Sequence, residues 1–213
     1  MDSQKSSEGS SEAETPRARK PVRKRGEARV QALLAAAESV IAERGVEAAT
    51  MTEIAERAGA SIGSLYQFFP TKALIADALH GGLMARFEAE LVAVAAPSAP
   101  PAVRAVLALD RLADFLVAHP AFVALADWRG IDPARKAENR VRLRGEIARA
   151  LTGGADGLPE AAARGAAVLV LALMRALIQL AGEPESDDIR AAAEAMRAML
   201  RHHLETLARH ADA

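Results

Sequence analysis

The sequence predicts an all-α protein: a three-helix N-terminal unit that contains a helix-turn-helix, followed by a larger helical unit. Three observations carry this. Few segments alternate apolar and polar residues with period two, while apolar residues recur every three to four positions along most of the chain. Hydrophobic residues make up 51% of the 213 positions, dominated by alanine and leucine, which is ample for a core. Glycines, prolines and capping residues punctuate the pattern where helices would end.

Residues 1 to about 25 are rich in Ser, Glu, Lys, Arg and Pro and have almost nothing to bury. They read as a disordered arm. Its early part is acidic (Glu8, Glu12, Glu14), and Arg17, Arg19, Lys20, Arg23, Lys24 and Arg25 make its second half basic, with Arg29 close behind. A first helix is predicted from about Glu27 to Arg44 on the spacing of Val30, Leu33, Leu34, Ala37, Val40 and Ile41, with Gly45 ending it.

The stretch from Thr50 to Lys72, TMTEIAERAGASIGSLYQFFPTK, is the most informative in the chain. Thr50-Met51-Thr52-Glu53 fits a capping box. Ile54, Ala55 and Ala58 give a short helix one apolar face, and Gly59 suits a left-handed turn. Ser61 can cap the next helix. Leu65 and Phe69 lie four apart and can bury, leaving Ile62, Gly63, Ser64, Tyr66 and Gln67 on or near the outward face. Pro70 ends that helix and Thr71 can cap another that starts at Lys72. This is the form of a helix-turn-helix over about residues 50–69, which places one helix in the DNA major groove.

The fourth helix should run from Lys72 to about Ala95, with Ala73, Leu74, Leu79, Leu83, Phe87 and Leu91 as its apolar stripe. Gly81-Gly82 in its middle costs roughly 1 kcal/mol per glycine relative to alanine, which fits a kink, a flex point or, best, close packing. Pro97, Pro100 and Pro101 make the clearest break. Beyond it helices are predicted over about 102–118, 121–128, 134–151, 159–181 and 187–210, separated by His119-Pro120, Gly130 to Pro133, a glycine loop over 152–157, and Pro184 to Ser186. The expected domains are thus an arm over 1–25, a helix-turn-helix domain over 26–80 and a helical ligand-binding and dimerisation domain over 81–213.

The central segment resembles the DNA-binding domain of the TetR family of bacterial one-component regulators. The matching residues are Thr50, Ile54-Ala55, Ala58-Gly59, Gly63-Ser64-Leu65-Tyr66-Gln67-Phe68-Phe69, Lys72 and Leu74. The resemblance implies a DNA-binding regulator that works as a homodimer on a palindromic operator of double-stranded DNA and is released by an unknown small-molecule effector. It implies that Thr50, Tyr66 and Lys72 hold phosphates and that Thr52, Ile62, Gly63, Ser64 and Gln67 meet bases. Gln67 can pair with adenine and Ile62 can touch a thymine methyl. For Phe68 and Phe69 core packing is the favoured alternative.

The last two helices are suited to self-association. The first is apolar nearly all round through Ala166, Val168, Leu169, Val170, Leu171, Leu173 and Met174. The second carries Ile189, Ala193, Met196, Leu200, Leu204 and Leu207 at helical spacing. In the resembled family the corresponding pair forms a four-helix dimer interface; an intramolecular core is the alternative. The family's effector pocket lies within the later helices, and Phe115, Phe122, Trp128, Leu171, Met174 and Arg175 are the candidate ligand residues, with Phe87 and Gln179 beside them. Arg175 can meet an anionic ligand or pair with Asp127 or Glu183.

Other classes are less well supported. With no cysteine, disulfides, thiolate zinc and a cysteine nucleophile are excluded. No HExxH, GxSxG or glycine-rich phosphate loop appears. His119 precedes a proline at a helix end, and His202-His203 are adjacent and face apart. Neither an enzyme nor a cofactor or metal site is therefore expected; a protein-interaction module is the remaining rival. The net charge is −1, so any DNA affinity is local. The N-terminus does not read as a secretory signal, and the apolar run from Ala166 to Met174 is short of the roughly 20 residues that cross a bilayer. No membrane partner and a cytoplasmic location are expected.

Overall fold

The computed structural model describes residues 20–94, 98–154 and 156–211. Among the described residues there are nine helices and no strand. They are α1 (Lys20–Ala48), α2 (Met51–Arg57), α3 (Ile62–Phe68), α4 (Lys72–Val94), α5 (Pro101–Ala118), α6 (Pro120–Ala126), α7 (Pro133–Thr152), α8 (Glu160–Ala181) and α9 (Asp187–Ala211).

The N-terminal helix differs from its sequence expectation. It begins at Lys20 rather than near Glu27, so the last residues of the expected arm are helical. Between Val22 and Glu27 only Gly26 weakens a helix, and Pro21 stands in the first turn, where a missing N–H is harmless. The rest of the arm, residues 1–19, lies outside the described residues. Gly45 does interrupt α1, at φ 75° and ψ 167°, but one more turn follows the kink to Ala48.

The helix-turn-helix closes through its own side chains. Thr50 Oγ1 accepts from the Glu53 N–H at 3.2 Å, and the Glu53 carboxylate accepts from the Thr50 N–H at 3.1 Å. That hydrogen bond to the Thr50 hydroxyl, at 2.8 Å, holds the Glu53 carboxyl below the usual range. Gly59 makes the turn at φ 59°, and Ser61 Oγ accepts from the Ser64 N–H at 3.2 Å to start α3. Ile54, Ala55, Leu65 and Phe69 bury against Leu33, Ala37, Val40 and Ile41 in one core.

The helix α4 runs unbroken through the expected boundary at residue 80. A Cβ added at Gly81 or Gly82 would meet nothing within 4 Å, so close packing does not explain the two glycines. Behind α4, helix α5 is the central element, with Leu109, Leu112 and Phe115 fully buried. It packs on α4, α7, α8 and α9. Phe115 meets Phe87 of α4 at 5.3 Å and Phe122 of α6 edge-on at 5.4 Å between ring centres. Arg104 on α5 caps the end of α7 by donating to the Ala150 and Gly153 carbonyls. Arg197 Nε meets Asp110 at 2.6 Å, tying α9 to α5.

The short α6 lies between these layers and packs along α1. Polar contacts reinforce that seam. His119 Nδ1 is 2.6 Å from Glu38 Oε1, and the Trp128 indole N–H donates to Glu47 at 2.8 Å. Arg135 of α7 pairs with Asp77 of α4.

The positive φ at Gly59 has a measurable consequence. Gly59→Ala should lower stability by about 1–2 kcal/mol, read from the urea midpoint at unchanged slope, because a Cβ disfavours the left-handed region. Gly59→Asn should lose less.

Candidate nucleic-acid interface and internal cavity

Helix α3 is anchored on one side and bare on the other. Leu65 and Phe69 are buried, whereas Ile62, Gly63, Tyr66 and Gln67 are exposed and Ser64 is half-buried. Tyr66 is 48% exposed. Thr52 of α2 and the capping residue Thr50 are exposed as well. The structure thus brings the sequence-selected residues Thr50, Thr52, Ile62, Gly63, Ser64, Tyr66 and Gln67 together over two consecutive short helices. Phe68 departs from the core role favoured for it: it is 38% exposed.

Lys72, the third residue expected to hold a phosphate, is engaged within the chain. Its ammonium donates to the carbonyls of Val46, Glu47 and Ala49 at 2.8, 2.7 and 3.2 Å. Those carbonyls close the end of α1 beyond the Gly45 kink and need a donor. All three protons of Lys72 are engaged there, so it acts as a clamp between α1 and α4 rather than as a free cation. The arginines behind the motif are likewise committed. Arg57 Nη2 donates to Glu43 at 2.8 Å and Arg44 meets Glu53 at 2.7 Å, bracing α1 against α2. The Arg57 hydrogen bond holds the Glu43 carboxyl low and pushes the Arg57 guanidinium up. Residues 62–69 carry no charge, so α3 offers hydrogen bonds and apolar contacts, which specify, rather than ion pairs, which only position.

A cavity of about 250 Å³ lies between α4, α5, α6, α7 and α8. Met84, Phe87, Leu112, Phe122, Leu143 and Met174 give it apolar walls. Asp127, Lys136, Arg140 and Arg175 supply charge, and His80, Asn139 and Gln179 supply polar groups. Of the candidate ligand residues, Phe122, Leu171, Met174 and Arg175 line it. Phe115 and Trp128 do not. Phe115 is shut into the core behind Phe122, and Trp128 turns away to its hydrogen bond with Glu47. Among the described residues Arg175 makes no ion pair, so the expected alternative pairing with Asp127 or Glu183 is not formed.

Sequence reasoning missed His80. It is a polar residue in the apolar stripe of α4, four residues from Ala76 and from Met84, and that misfit was the available signal. It is 5% exposed and stacks parallel to Phe122 at 5.8 Å, and its Nδ1 has no hydrogen-bond partner. Burial, then the charge of Lys136, pushes its pKa down to about 4, so it is neutral at pH 7. Lys136 donates to the Ala126 and Trp128 carbonyls at 2.8 and 2.9 Å, closing the end of α6. A second hollow of about 320 Å³ between α4, α5 and α7 holds Arg104, already committed to the end of α7. Among the described residues no group of three His, Cys, Asp or Glu could hold a metal. His202 and His203 are both exposed on α9.

The profile of the bacterial regulatory proteins of the tetR family matches residues 33–79, which span most of α1, the helix-turn-helix and the start of α4. No curated protein sequence matches the chain. Solved structures do. A TetR-like transcriptional regulator from Rhodococcus sp. RHA1 is 23% identical, with a TM-score of 0.61 over 83% of this chain and 96% of that one. FadR from Bacillus subtilis, solved with stearoyl-CoA, is 18% identical, with a TM-score of 0.63 over 80% and 96%. A TetR regulator from Haloarcula marismortui is 16% identical, with a TM-score of 0.65 over 85% and 98%. At these identities the likeness is one of fold, and it covers both the helix-turn-helix and the helices behind it.

Two measurements follow from the side-chain roles. Lys72→Met should destabilise the protein by about 2 kcal/mol in urea unfolding, because it orphans three carbonyls. Tyr66→Ala should stay within about 0.5 kcal/mol of the parent, as exposed substitutions do. His80 should make stability fall with acid. The unfolded side chain takes a proton near 6.5 and the folded one only near 4, so between those values only the unfolded chain gains it. Asp77 on α4 opposes this shift, while Lys136 and Arg135 on α7 reinforce it. Unfolding curves from pH 7 to 4 should show a smaller acid loss in His80→Leu than in the parent; equal losses would refute the assignment.

Proposed function

We propose that this chain, a DNA-binding transcriptional regulator of the TetR family, is a ligand-released repressor that binds a palindromic operator as a homodimer. The observation that carries the reading is the anchored, uncharged α3, whose Ile62, Gly63, Tyr66 and Gln67 stand free of the core. In the major groove Gln67 pairs with adenine, Ile62 meets a thymine methyl, and Gly63 admits close approach. Tyr66 and Thr50 hold phosphates. In this reading residues 26–80 are the reading head, residues 81–213 bind effector and partner, and the protein works in the cytoplasm.

The dimer forms through α8 and α9. Among the described residues α8 is the one helix long and apolar enough to cross a bilayer, and α5, α7 and α9 pack against it. Among the residues they leave uncovered are two large apolar ones: Val168 on α8 is 52% exposed and Met199 on α9 is 70% exposed. A second copy of the same helix pair would cover both and would set two reading heads on half-sites about one helical turn or more apart. The cavity supports the ligand half of the reading, as does the like-folded FadR solved with stearoyl-CoA. An effector that prefers the geometry without DNA shifts the population away from the operator, and operator and effector weaken each other equally.

Selection from random duplex DNA tests the proposal. The expected result is an enriched palindrome, with weaker binding by Tyr66→Ala. Val168→Glu with Met199→Glu should sediment as a folded monomer and lose most operator affinity. An enriched motif without two-fold symmetry, or a parent protein that sediments as a monomer, would overturn the dimer.

A further inference from the structure

We propose that the cavity beside α4 takes a compact organic anion: a carboxylate on an apolar body that carries a neutral hydrogen-bonding group at its far end. This rests on reading that cavity as the effector site, and it names the chemistry the site selects.

Charge at the cavity is one-sided. Lys136, Arg140 and Arg175 face a single carboxylate, that of Asp127. Lys136 is already turned to the end of α6. Arg140 on α7 and Arg175 on α8 are exposed, and among the described residues neither has an ion-pair or hydrogen-bond partner. Exposed arginines are often merely solvated. Yet Arg135 and Arg142, to either side of Arg140 on the same helix, each pair with a carboxylate of α4, namely Asp77 and Glu88. Two unpaired guanidiniums on neighbouring helices at one cavity suit a carboxylate, which accepts from their forked N–H groups.

The interior excludes a deeper position for that charge. Met84, Phe87, Leu112, Phe122 and Leu143 offer no partner to an anion, and an unpaired charge among them would be strongly disfavoured. The acid therefore stays with the exposed arginines and the apolar body fills the hollow. At the buried end His80 lines the cavity, 5% exposed; its Nδ1 has no hydrogen-bond partner and is closed off from solvent, so a ligand reaches it only by a small shift of the ring. A neutral imidazole has one donor and one acceptor nitrogen, and a hydroxyl can partner either of them.

This arrangement reaches the reading head directly. His80 sits eight residues along from Lys72, the clamp on α1. Gly81 and Gly82 follow it, and a Cβ added at either would meet nothing within 4 Å; paired small residues are where helices commonly kink.

Calorimetric titration of the full chain with octanoate, octanol and ω-hydroxyoctanoate tests the inference. Octanoate should bind at least about ten-fold tighter than octanol, a difference that an ion pair readily supplies. Arg140→Gln with Arg175→Gln should bring octanoate down to the octanol level and leave octanol unchanged. Both side chains are exposed and unpaired, so the double variant should fold, as circular dichroism will show. ω-Hydroxyoctanoate should bind more tightly than octanoate, and His80→Phe should abolish that gain. Octanol binding as tightly as octanoate, no binding of either at millimolar concentration, or acid binding unchanged in the double variant would overturn the anion site. Binding that survives while the selected operator is not released would instead overturn ligand release and leave the anion site standing.

Discussion

The arrangement of this protein depends on one ammonium group. Gly45 turns the chain out of α1, and the turn that follows leaves the carbonyls of Val46, Glu47 and Ala49 to be satisfied. Lys72 meets all three. A cation at the first position of a helix is electrostatically unfavourable toward that helix's own dipole. Here the carbonyls of α1 compensate, and the helix-turn-helix is held between two joined ends. Helices α2 and α3 have only seven residues each and could not hold their orientation alone. Their packing on Leu33, Val40 and Ile41 and the closure at Lys72 supply it.

The same end of α1 is where the helix-turn-helix meets the rest of the molecule. Glu47, whose carbonyl binds Lys72, takes the indole N–H of Trp128 on its side chain. Glu38, three turns earlier, meets His119 at the junction of α5 and α6. Such partly exposed polar pairs contribute little stability each. They fix register, while apolar burial along α1 and α6 holds the layers together. Helix α6 therefore has two roles at once. One side packs on α1, and Phe122 forms part of the cavity wall.

Within the helix-turn-helix, local sequence was enough to place the two helices and their turn. Capping by Thr50 and Ser61, the turn at Gly59 and the burial of Leu65 and Phe69 all depend on neighbours a few residues away, and all were legible. The cavity was legible only in part. Leu171, Met174 and Arg175 share α8, so helical spacing put them together. Phe115 and Trp128 were chosen by residue type, and residue type does not say which way a ring turns when Phe87, Phe122 or Glu47 competes for it.

By itself the sequence determined that the chain is helical, where most helices begin and end, and which short helix presents an uncharged, exposed face. Those properties follow from spacing, capping and breakers, which act over three or four residues. Only the tertiary structure decided that Lys72 is a clamp, that Phe68 is exposed, that His80 lies buried without a partner, and that Arg140 and Arg175 stand unpaired at one cavity. The placements of Lys72, His80, Arg140 and Arg175 are set by groups from 23 to nearly 100 residues away along the chain, and contacts between such distant groups leave no periodic trace in a single sequence.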